Sequence, residues 1–293
     1  MDKYGIIGFP LGHSFSRGFF TEKFAREGID AQYLNFEIPD VAMLHDVLRQ
    51  NPELRGLNVT LPHKQAVIPL LDELSDEARE IGAVNVIKII PTDPPQPSLK
   101  GRENGEVAER NSLPLREGWG GSLKGFNSDI IGFTESIKPL LQPWHTKALV
   151  LGTGGASKAV CVGLTRLGLE WTYVSRQAKV KNEELRTKNN SYPDPSLFTL
   201  HSSLLSYSDL TPEVMAEYTV IVNCTPVGMF PKVDEAPAIP YGLLTPRHLL
   251  FDCVYNPEDT LFMQKGRKQG ATVKNGLEML HLQAIASWRF WNL

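Results

Sequence analysis

The fold is decided by the stretch Ala148-Leu149-Val150-Leu151-Gly152-Thr153-Gly154-Gly155-Ala156-Ser157-Lys158-Ala159-Val160. A short apolar run bounded by glycine is typical of a buried parallel strand. The glycines permit a tight turn and a close approach of the backbone to a ligand, and the N-terminus of the following helix attracts phosphate. The stretch therefore predicts a dinucleotide-binding turn. The alternative is a strand-to-helix turn that binds no ligand.

The next predicted strand indicates which dinucleotide is bound. It runs through Trp171-Thr172-Tyr173-Val174 and ends in Ser175-Arg176. Proteins that bind NAD usually have Asp or Glu at this strand end, whereas an arginine suits the 2′-phosphate of NADP. Arg176 therefore favours NADP. The nearby Lys179 and Lys181 are interpreted as solvated surface charges.

Composition narrows the class of protein. The chain has 293 residues and a net charge of -3, without the basic excess that a nucleic acid or an anionic membrane would require, so we expect a small-molecule partner. The three cysteines, Cys161, Cys224 and Cys253, are far apart in apolar surroundings, which favours core thiols in a reducing compartment. No signal-peptide pattern and no membrane-length apolar segment is found, so a cytoplasmic protein is expected.

Strand and helix patterns alternate along the chain, which predicts an α/β fold with mostly parallel sheets. The predicted strands of the first half are 4–9, 31–38, 56–60 and 83–90. The predicted helices are one that carries Phe19, Phe20, Phe24 and Ala25 and runs to Gly28, and those over 41–49 and 66–74. Residues 91–121 are rich in proline and glycine and predict a long loop insertion. A helix over 129–141 leads to the dinucleotide turn; strands near Phe198 and at 219–223 and 249–252 follow, and a helix over 276–291 ends the chain.

Polar side chains follow several predicted strands, where open α/β sheets bind ligands. Ser14 and Ser16 are candidates to hold a carboxylate or a polyol, with helix capping as the alternative. Lys64 is the candidate acid–base group. Asn85 lies in an apolar strand and needs hydrogen-bond partners, which the hydroxyls of a ligand could supply. Asp129 is either part of this site or a helix N-cap.

Taken in order, these motifs resemble the shikimate dehydrogenase family over nearly the whole chain outside 91–121. Residues 152–157 match G-x-G-G-A-S, residues 223–229 are similar to N-x-T-P-x-G-M, and residues 252–257 are similar to D-x-x-Y-x-P. The resemblance implies NADP-dependent reduction of 3-dehydroshikimate to shikimate. It also implies an N-terminal α/β substrate-binding domain (1–127 and 276–293), a Rossmann-type NADP-binding domain (128–275) and an active-site cleft between them.

The resemblance further implies roles for individual residues. It implies no metal site. Lys64 and Asp129 would form the catalytic pair. The substrate-binding residues would be Ser14, Ser16, Asn58, Thr60, Asn85, Tyr255 and Gln283. The cofactor-binding residues would be Gly152, Gly154, Gly155, Ala156, Ser157, Ser175, Arg176, Thr225, Val254 and Gly276.

One segment departs from the family pattern. Where the pattern reads S-x-S-P-x-x-H-N, residues 14–21 read SFSRGFFT, which keeps both serines but lacks the proline and the His-Asn pair. Two other functions stay open: a quinate/shikimate dehydrogenase that prefers NAD, and a catalytically silent relative that binds metabolites of the same pathway. Lys64 and Asp129 argue against the silent relative, because a pure binder needs no proton-transfer pair. A monomer or a homodimer is expected.

Overall fold

The computed structural model of the protein describes residues 1–12, 15–91, 121–176, 178 and 204–293. The chain divides into two compact units. The first comprises Met1–Ser128 with Ala284–Leu293, and the second comprises Asp129–Gln283. Within the described residues, no helix combines the length and the apolar character needed to cross a bilayer.

The first unit contains a six-stranded mixed sheet in the order β2-β1-β3-β5-β6-β4. Its strands are β1 Asp2–Gly8, β2 Ala31–Glu37, β3 Leu54–Val59, β4 Glu73–Leu74, β5 Val86–Pro91 and β6 Gly121–Phe126. The pairs β1–β2, β1–β3 and β4–β6 are parallel, whereas β5 runs antiparallel to both of its neighbours. The C-terminal ends of β1, β3 and β6 therefore meet the N-terminal end of β5 at one edge of the sheet.

Both faces of this sheet are covered. The helices are α1 Phe15–Glu27, α2 Leu44–Gln50, α3 His63–Ala66 and α4 Asp76–Ile81, and the end of the last helix of the chain joins them. On one face, Tyr4 and Ile6 of β1 pack with an aromatic cluster that includes Phe20 of α1. On the other face, Ile7 packs with a mainly aliphatic cluster. Alternation along β1 accounts for the two faces, because successive side chains of a strand point in opposite directions.

The second unit contains a five-stranded, fully parallel sheet in the order β11-β10-β9-β7-β8. Its elements are α5 Asp129–Ile137, β7 Lys147–Leu151, α6 Gly155–Arg166, β8 Glu170–Val174, α7 Pro212–Glu217, β9 Val220–Asn223, β10 Leu249–Asp252, α8 Leu261–Lys268, β11 Thr272–Lys274 and the first part of α9 Leu277–Trp291, a helix whose residues from Ala284 onward belong to the first unit. The chain leaves β7 for β8 on one side and later returns to β9 on the other. The end of β7 is therefore the switch point at which such sheets bind nucleotides.

Several predicted boundaries are wrong. The predicted helix over 66–74 stops at Ala66 and gives way to a 3₁₀ turn, Ile68–Leu70, and then to β4. Pro69 lacks the N–H that a continuing helix needs, and Asp72 exchanges hydrogen bonds with the backbone of Leu123 in β6. Pro139 likewise ends α5 at Ile137, short of the predicted 141.

Two further predictions concern strands and the insertion. The strand predicted over 83–90 begins at Val86. Of the predicted loop insertion, Pro91 and Gly121 are strand residues that pair with each other, and residues 92–120 lie outside the described residues. The strand predicted near Phe198 also lies outside them.

Candidate active site

Four polar segments of the first unit meet at one sheet edge. The register pairs Ile6 with Asn58, Asn58 with Val86, and Val86 with Phe126. Asn85 directly precedes Val86, and Ser128 follows soon after Phe126. Because β5 runs antiparallel to β3 and β6, its beginning lies beside their ends. Residues distant in sequence thus converge there.

A network of buried hydrogen bonds connects these side chains. The Tyr33 hydroxyl donates to Oδ1 of Asn58 at 2.7 Å and is also hydrogen-bonded to Ser16. Nδ2 of Asn58 donates to Oγ of Ser287 at 3.0 Å. Burial holds the pKa of Tyr33 above its ordinary value, so Tyr33 stays protonated and keeps donating. The network therefore fixes the orientation of the Asn58 amide.

Asn85 is held in the same way. Its Nδ2 donates to Oγ of Ser128 at 3.1 Å, and its Oδ1 accepts from the backbone N–H of Ser128 at 2.7 Å. The hydroxyls of Ser128 and Ser287 lie 3.4 Å apart, which joins the Asn85 and Asn58 halves of the network. The network thus presents amides and hydroxyls in fixed directions, as recognition of a polyol requires.

Lys64 lies on a short helix that starts just beyond this edge. The preceding residue, His63, is buried, and its Nε2 donates to the carbonyl oxygen of Ile38 at 2.7 Å. The backbone carbonyl of Lys64 accepts from the N–H of Val84 at 2.7 Å. These bonds fix the backbone of the half-buried Lys64, and they therefore fix the point from which its side chain extends.

The starts of α1 and α5 show whether the predicted site residues there occupy helix-capping positions. Ser16 is the second residue of α1 and lies inside the helix, not at the cap position, whereas Ser14 lies outside the described residues. Asp129 is buried and is the first residue of α5, where the helix dipole favours a carboxylate. Asp129 belongs to the second unit and Lys64 to the first.

The dinucleotide turn lies at the C-terminal end of β7. Gly152 has a φ of +94°, and a Cβ there would come within 2.8 Å of Cγ2 of Thr225. At Gly154, which caps α6, a Cβ would meet nothing within 4 Å. Gly152 is thus required by the fold, whereas the bare backbone at Gly154 leaves room for a bound group. Gly155 and Ala156 follow in the first turn of α6.

Ser157 has a structural role that its place in the motif did not reveal. The side chain is fully buried, and Oγ donates to the carbonyl oxygen of Gly154 at 2.6 Å. The hydroxyl therefore stabilises the turn between Gly154 and Ser157 from its buried side.

Arg176 lies just beyond β8, at the same edge as the dinucleotide turn. Its side chain is exposed, and among the described residues it forms no ion pair. Burial raises the pKa of Tyr207, and the charge of Arg176 opposes that increase. The neighbouring Ser175 is tied to the sheet by its N–H, which donates to the carbonyl of Leu205 at 2.9 Å. Lys179 and Lys181 lie outside the described residues.

Two loops at the ends of β9 and β10 are joined by a second buried network. Oδ1 of Asp252 accepts from Nδ2 of Asn223 at 2.9 Å and from the N–H of Val254 at 3.0 Å. Oδ1 of Asn223 in turn accepts from the N–H and the hydroxyl of Thr225. Burial raises the pKa of Asp252 to about 6, and its hydrogen bonds partly oppose this. The network places Thr225 and Val254 on neighbouring strand ends.

The remaining predicted residues also lie in the second unit. A Cβ at Gly276 would overlap the carbonyl oxygen of Cys253, so only glycine permits that approach. Burial raises the pKa of the half-buried Tyr255. Gln283 ends the second unit, and its Cγ lies 2.7 Å from where a Cβ would be at Gly132 of α5. The described residues predicted to bind substrate thus fall into two groups: Ser16, Asn58, Thr60 and Asn85 in the first unit, and Tyr255 and Gln283 in the second.

Known proteins resemble the chain along nearly its full length. A family model described as the shikimate dehydrogenase substrate binding domain matches residues 6–87. The shikimate dehydrogenase (NADP(+)) of Desulforamulus reducens is 33% identical, and the match covers 98% of this chain and 88% of that protein. The chain belongs to the shikimate dehydrogenase family.

Solved structures of shikimate dehydrogenases have the same fold. The protein from Aquifex aeolicus is 32% identical with a TM-score of 0.73, and the match covers 100% of this chain and 92% of that one. Shikimate 5-dehydrogenase from Thermus thermophilus, in complex with NADP(H) and shikimate, is 27% identical with a TM-score of 0.72, covering 99% and 93%. The predicted family and α/β fold class are confirmed.

Sequence reasoning assigned no role to Tyr33 or Ser287, although both are joined to Asn58. In the sequence, Tyr33 is an ordinary aromatic residue of a strand, and Ser287 is one of several polar residues in a mainly apolar helix. A serine among buried helix positions was the available signal, because a buried hydroxyl must find a partner. The partner itself, 229 residues away, could not be read from the sequence.

Proposed function

We propose that this protein catalyses the NADP-dependent, reversible reduction of 3-dehydroshikimate to shikimate. The observation that carries the proposal is the hydrogen-bonded array of Ser16, Tyr33, Asn58 and Asn85 at one sheet edge. It presents oriented amides and hydroxyls to a small polyol, in a chain whose relatives are named for shikimate. Ser14 and Ser16 would hold the carboxylate of shikimate, while Asn58, Thr60 and Asn85, with Tyr255 and Gln283 of the second unit, would contact its hydroxyls.

The second unit suits NADP. The bare backbone at Gly154 and the start of α6 would receive the pyrophosphate, and the exposed Arg176 would pair with the 2′-phosphate. No carboxylate stands at Ser175 or Arg176 to select the free ribose hydroxyl of NAD. Thr225, Val254 and Gly276, on the loops joined by Asn223 and Asp252, would line the nicotinamide end.

Lys64 and Asp129 would carry the proton transfer. Bound NADPH supplies the hydride that reduces the ketone carbon. Lys64 stabilises the negative charge that grows on the ketone oxygen and donates the proton that completes the alcohol. In the reverse direction, Lys64 accepts the hydroxyl proton. Asp129 orients the ammonium group and balances its charge.

Initial rates, followed by absorbance of the reduced nicotinamide, test the proposal. Purified protein is assayed with shikimate and with quinate, each paired with NADP and with NAD. Fast turnover with shikimate and NADP alone is expected. Fast turnover with quinate and NAD would replace the proposal with a quinate/shikimate dehydrogenase. Shikimate binding without turnover in any pair would indicate a silent binding protein. A monomer or homodimer and a cytoplasmic location stay predictions.

Tyr33→Phe is expected to raise the KM for shikimate about tenfold, because the half-buried Asn58 amide loses the hydrogen bond that fixes its orientation, and such a bond contributes about 0.5–1.5 kcal/mol. The ring keeps its stack on Phe20, at a centroid distance of 4.8 Å, so the protein stays folded. Tyr4→Phe is the matched control, since Tyr4 belongs to the same aromatic cluster but is not part of the network. An unchanged KM in Tyr33→Phe, or the same increase in both variants, would refute the role of the hydroxyl.

Two glycines of the dinucleotide turn are expected to have different roles, Gly152 in the fold and Gly154 in binding NADP. Gly152→Ala is expected to lower the free energy of unfolding by about 1–3 kcal/mol, since alanine disfavours this φ and its methyl would crowd Thr225. Gly154→Ala should cost less, about 0.5–1 kcal/mol, because alanine is a poorer helix N-cap than glycine, although φ is -79° and the Cβ meets nothing. It should nevertheless raise the KM for NADP, as the methyl fills the space for the pyrophosphate. Denaturant unfolding and NADP titrations measure both effects, and normal NADP binding by Gly154→Ala would contradict the site.

A further inference from the structure

Two cysteines far apart in sequence lie side by side in the second unit. Sγ of Cys224 and Sγ of Cys253 are 3.8 Å apart. The two residues directly follow the paired strand residues Asn223 and Asp252, and the N–H of Cys253 donates to the carbonyl of Asn223 at 2.9 Å. Adjacent strands lie about 4.8 Å apart, which is within the range of Cα separations that a disulfide spans. The backbone already holds the two thiols in a geometry suited to a disulfide.

The pair is open to a small oxidant. Cys224 and Cys253 are both half-buried, whereas Cys161 is 3% exposed. Burial raises the pKa of Cys161 to about 12, which keeps it an unreactive thiol.

We propose that Cys224 and Cys253 form a disulfide when a hydroperoxide oxidises them, and that this bond weakens NADP binding. The second half rests on the proposed function. The thiolate of one of the two cysteines attacks the outer peroxide oxygen, which gives a sulfenic acid and releases an alcohol or, from hydrogen peroxide, water. The thiol of the other cysteine then displaces the sulfenic oxygen as water and forms the S–S bond. Two thiols and one hydroperoxide thus yield one disulfide, one alcohol or water, and one further water.

The pH dependence of the oxidation follows from the surroundings of Cys224, where the thiols of Cys253 and Cys161 and the carboxyl of Asp252 act on it. Its hydrogen bond with Cys253 and its burial raise the pKa of the Cys224 thiol. Because the thiolate is the nucleophile, oxidation should become faster as the pH rises.

The bond would reach the NADP site through the backbone. Thr225 and Val254, both proposed to line the nicotinamide end, directly follow the two cysteines. The sulfurs must move from 3.8 Å to about 2.05 Å apart to bond. Gly276 packs against the carbonyl of Cys253 and leaves no room for a Cβ. Gly152 packs against the backbone of Cys224, and a Cβ there would crowd Thr225. The displacement is therefore transmitted to both loops and to the dinucleotide turn.

Thiol counting and NADPH binding test the two halves separately. The full-length protein is treated with hydrogen peroxide, remaining thiols are alkylated, and intact mass and a non-reducing peptide map are recorded. One of the three cysteines should be alkylated after oxidation, against three before, with a 224–253 bond in the map. NADPH fluorescence titration should show about tenfold weaker binding, restored by dithiothreitol.

Three variants sharpen the result. Cys161→Ala should behave as the wild type, whereas Cys224→Ser and Cys253→Ser should form no intramolecular bond and keep their NADPH affinity after peroxide. Oxygen addition without a bond, or a bond between two molecules, would overturn the disulfide. A 224–253 bond with unchanged NADPH affinity would overturn its effect on NADP. A reduced protein that binds no NADPH would overturn the proposed function and that effect, while the mass data would still decide the disulfide.

Discussion

Lys64→Ala is expected to lower kcat for shikimate oxidation about 10²–10⁴-fold, the usual contribution of a positioned acid–base group. Without the ammonium, no side chain is proposed to take up the substrate proton or to stabilise charge on oxygen. Because Asn58 and Asn85 keep their network, the KM for shikimate should change much less than kcat. Initial-rate measurements at saturating NADP separate the two parameters.

Folding of the Lys64→Ala variant should be unaffected, because the bonds that fix its turn come from His63 and from the backbone carbonyl of residue 64. Lys124→Ala is the matched control: Lys124 belongs to the same unit and forms an exposed ion pair with Glu73, so its loss should leave kcat unchanged. Turnover of Lys64→Ala within a few-fold of the wild type would remove Lys64 from the mechanism.

Arg176→Ala is expected to lower kcat/KM for NADP about 30–150-fold, since a charge-assisted bond to phosphate contributes about 2–3 kcal/mol. NAD lacks the 2′-phosphate, so kcat/KM for NAD should stay within about twofold of the wild-type value. The variant would therefore lose most of its preference for NADP. Parallel assays with the two cofactors at fixed shikimate measure the ratio.

Arg267→Ala controls for loss of a surface arginine in the same unit, because Arg267 pairs with Asp259 on the surface. Its cofactor ratio should match the wild type. An equal loss with NADP and NAD in Arg176→Ala would instead indicate a structural role beside Tyr207. An unchanged kcat/KM for NADP in Arg176→Ala would mean that another residue binds the 2′-phosphate.

Family, fold class and the proposed chemistry were accessible from the sequence because each rests on a local pattern. The apolar run before Gly152 and the small residues after it specify strand, turn and helix within a few residues of chain. Lys64 and Arg176 were found because each lies next to a strand end. Local patterning also misled where a distant partner competed, since the segment after Ala66 is drawn into the sheet by Leu123 instead of continuing as helix.

The sequence by itself determined the order of the motifs and the residue types at the strand ends, because these depend on neighbours along the chain. Only the tertiary structure decided which side chains meet: Tyr33 and Ser287 with Asn58, Ser157 turned inward on Gly154, and Cys224 beside Cys253. For the pairs remote in sequence, the physical reason is strand order. Sheet pairing places β1 between β2 and β3, which carry Tyr33 and Asn58, and places β9 beside β10, and that choice depends on burial across the whole sheet.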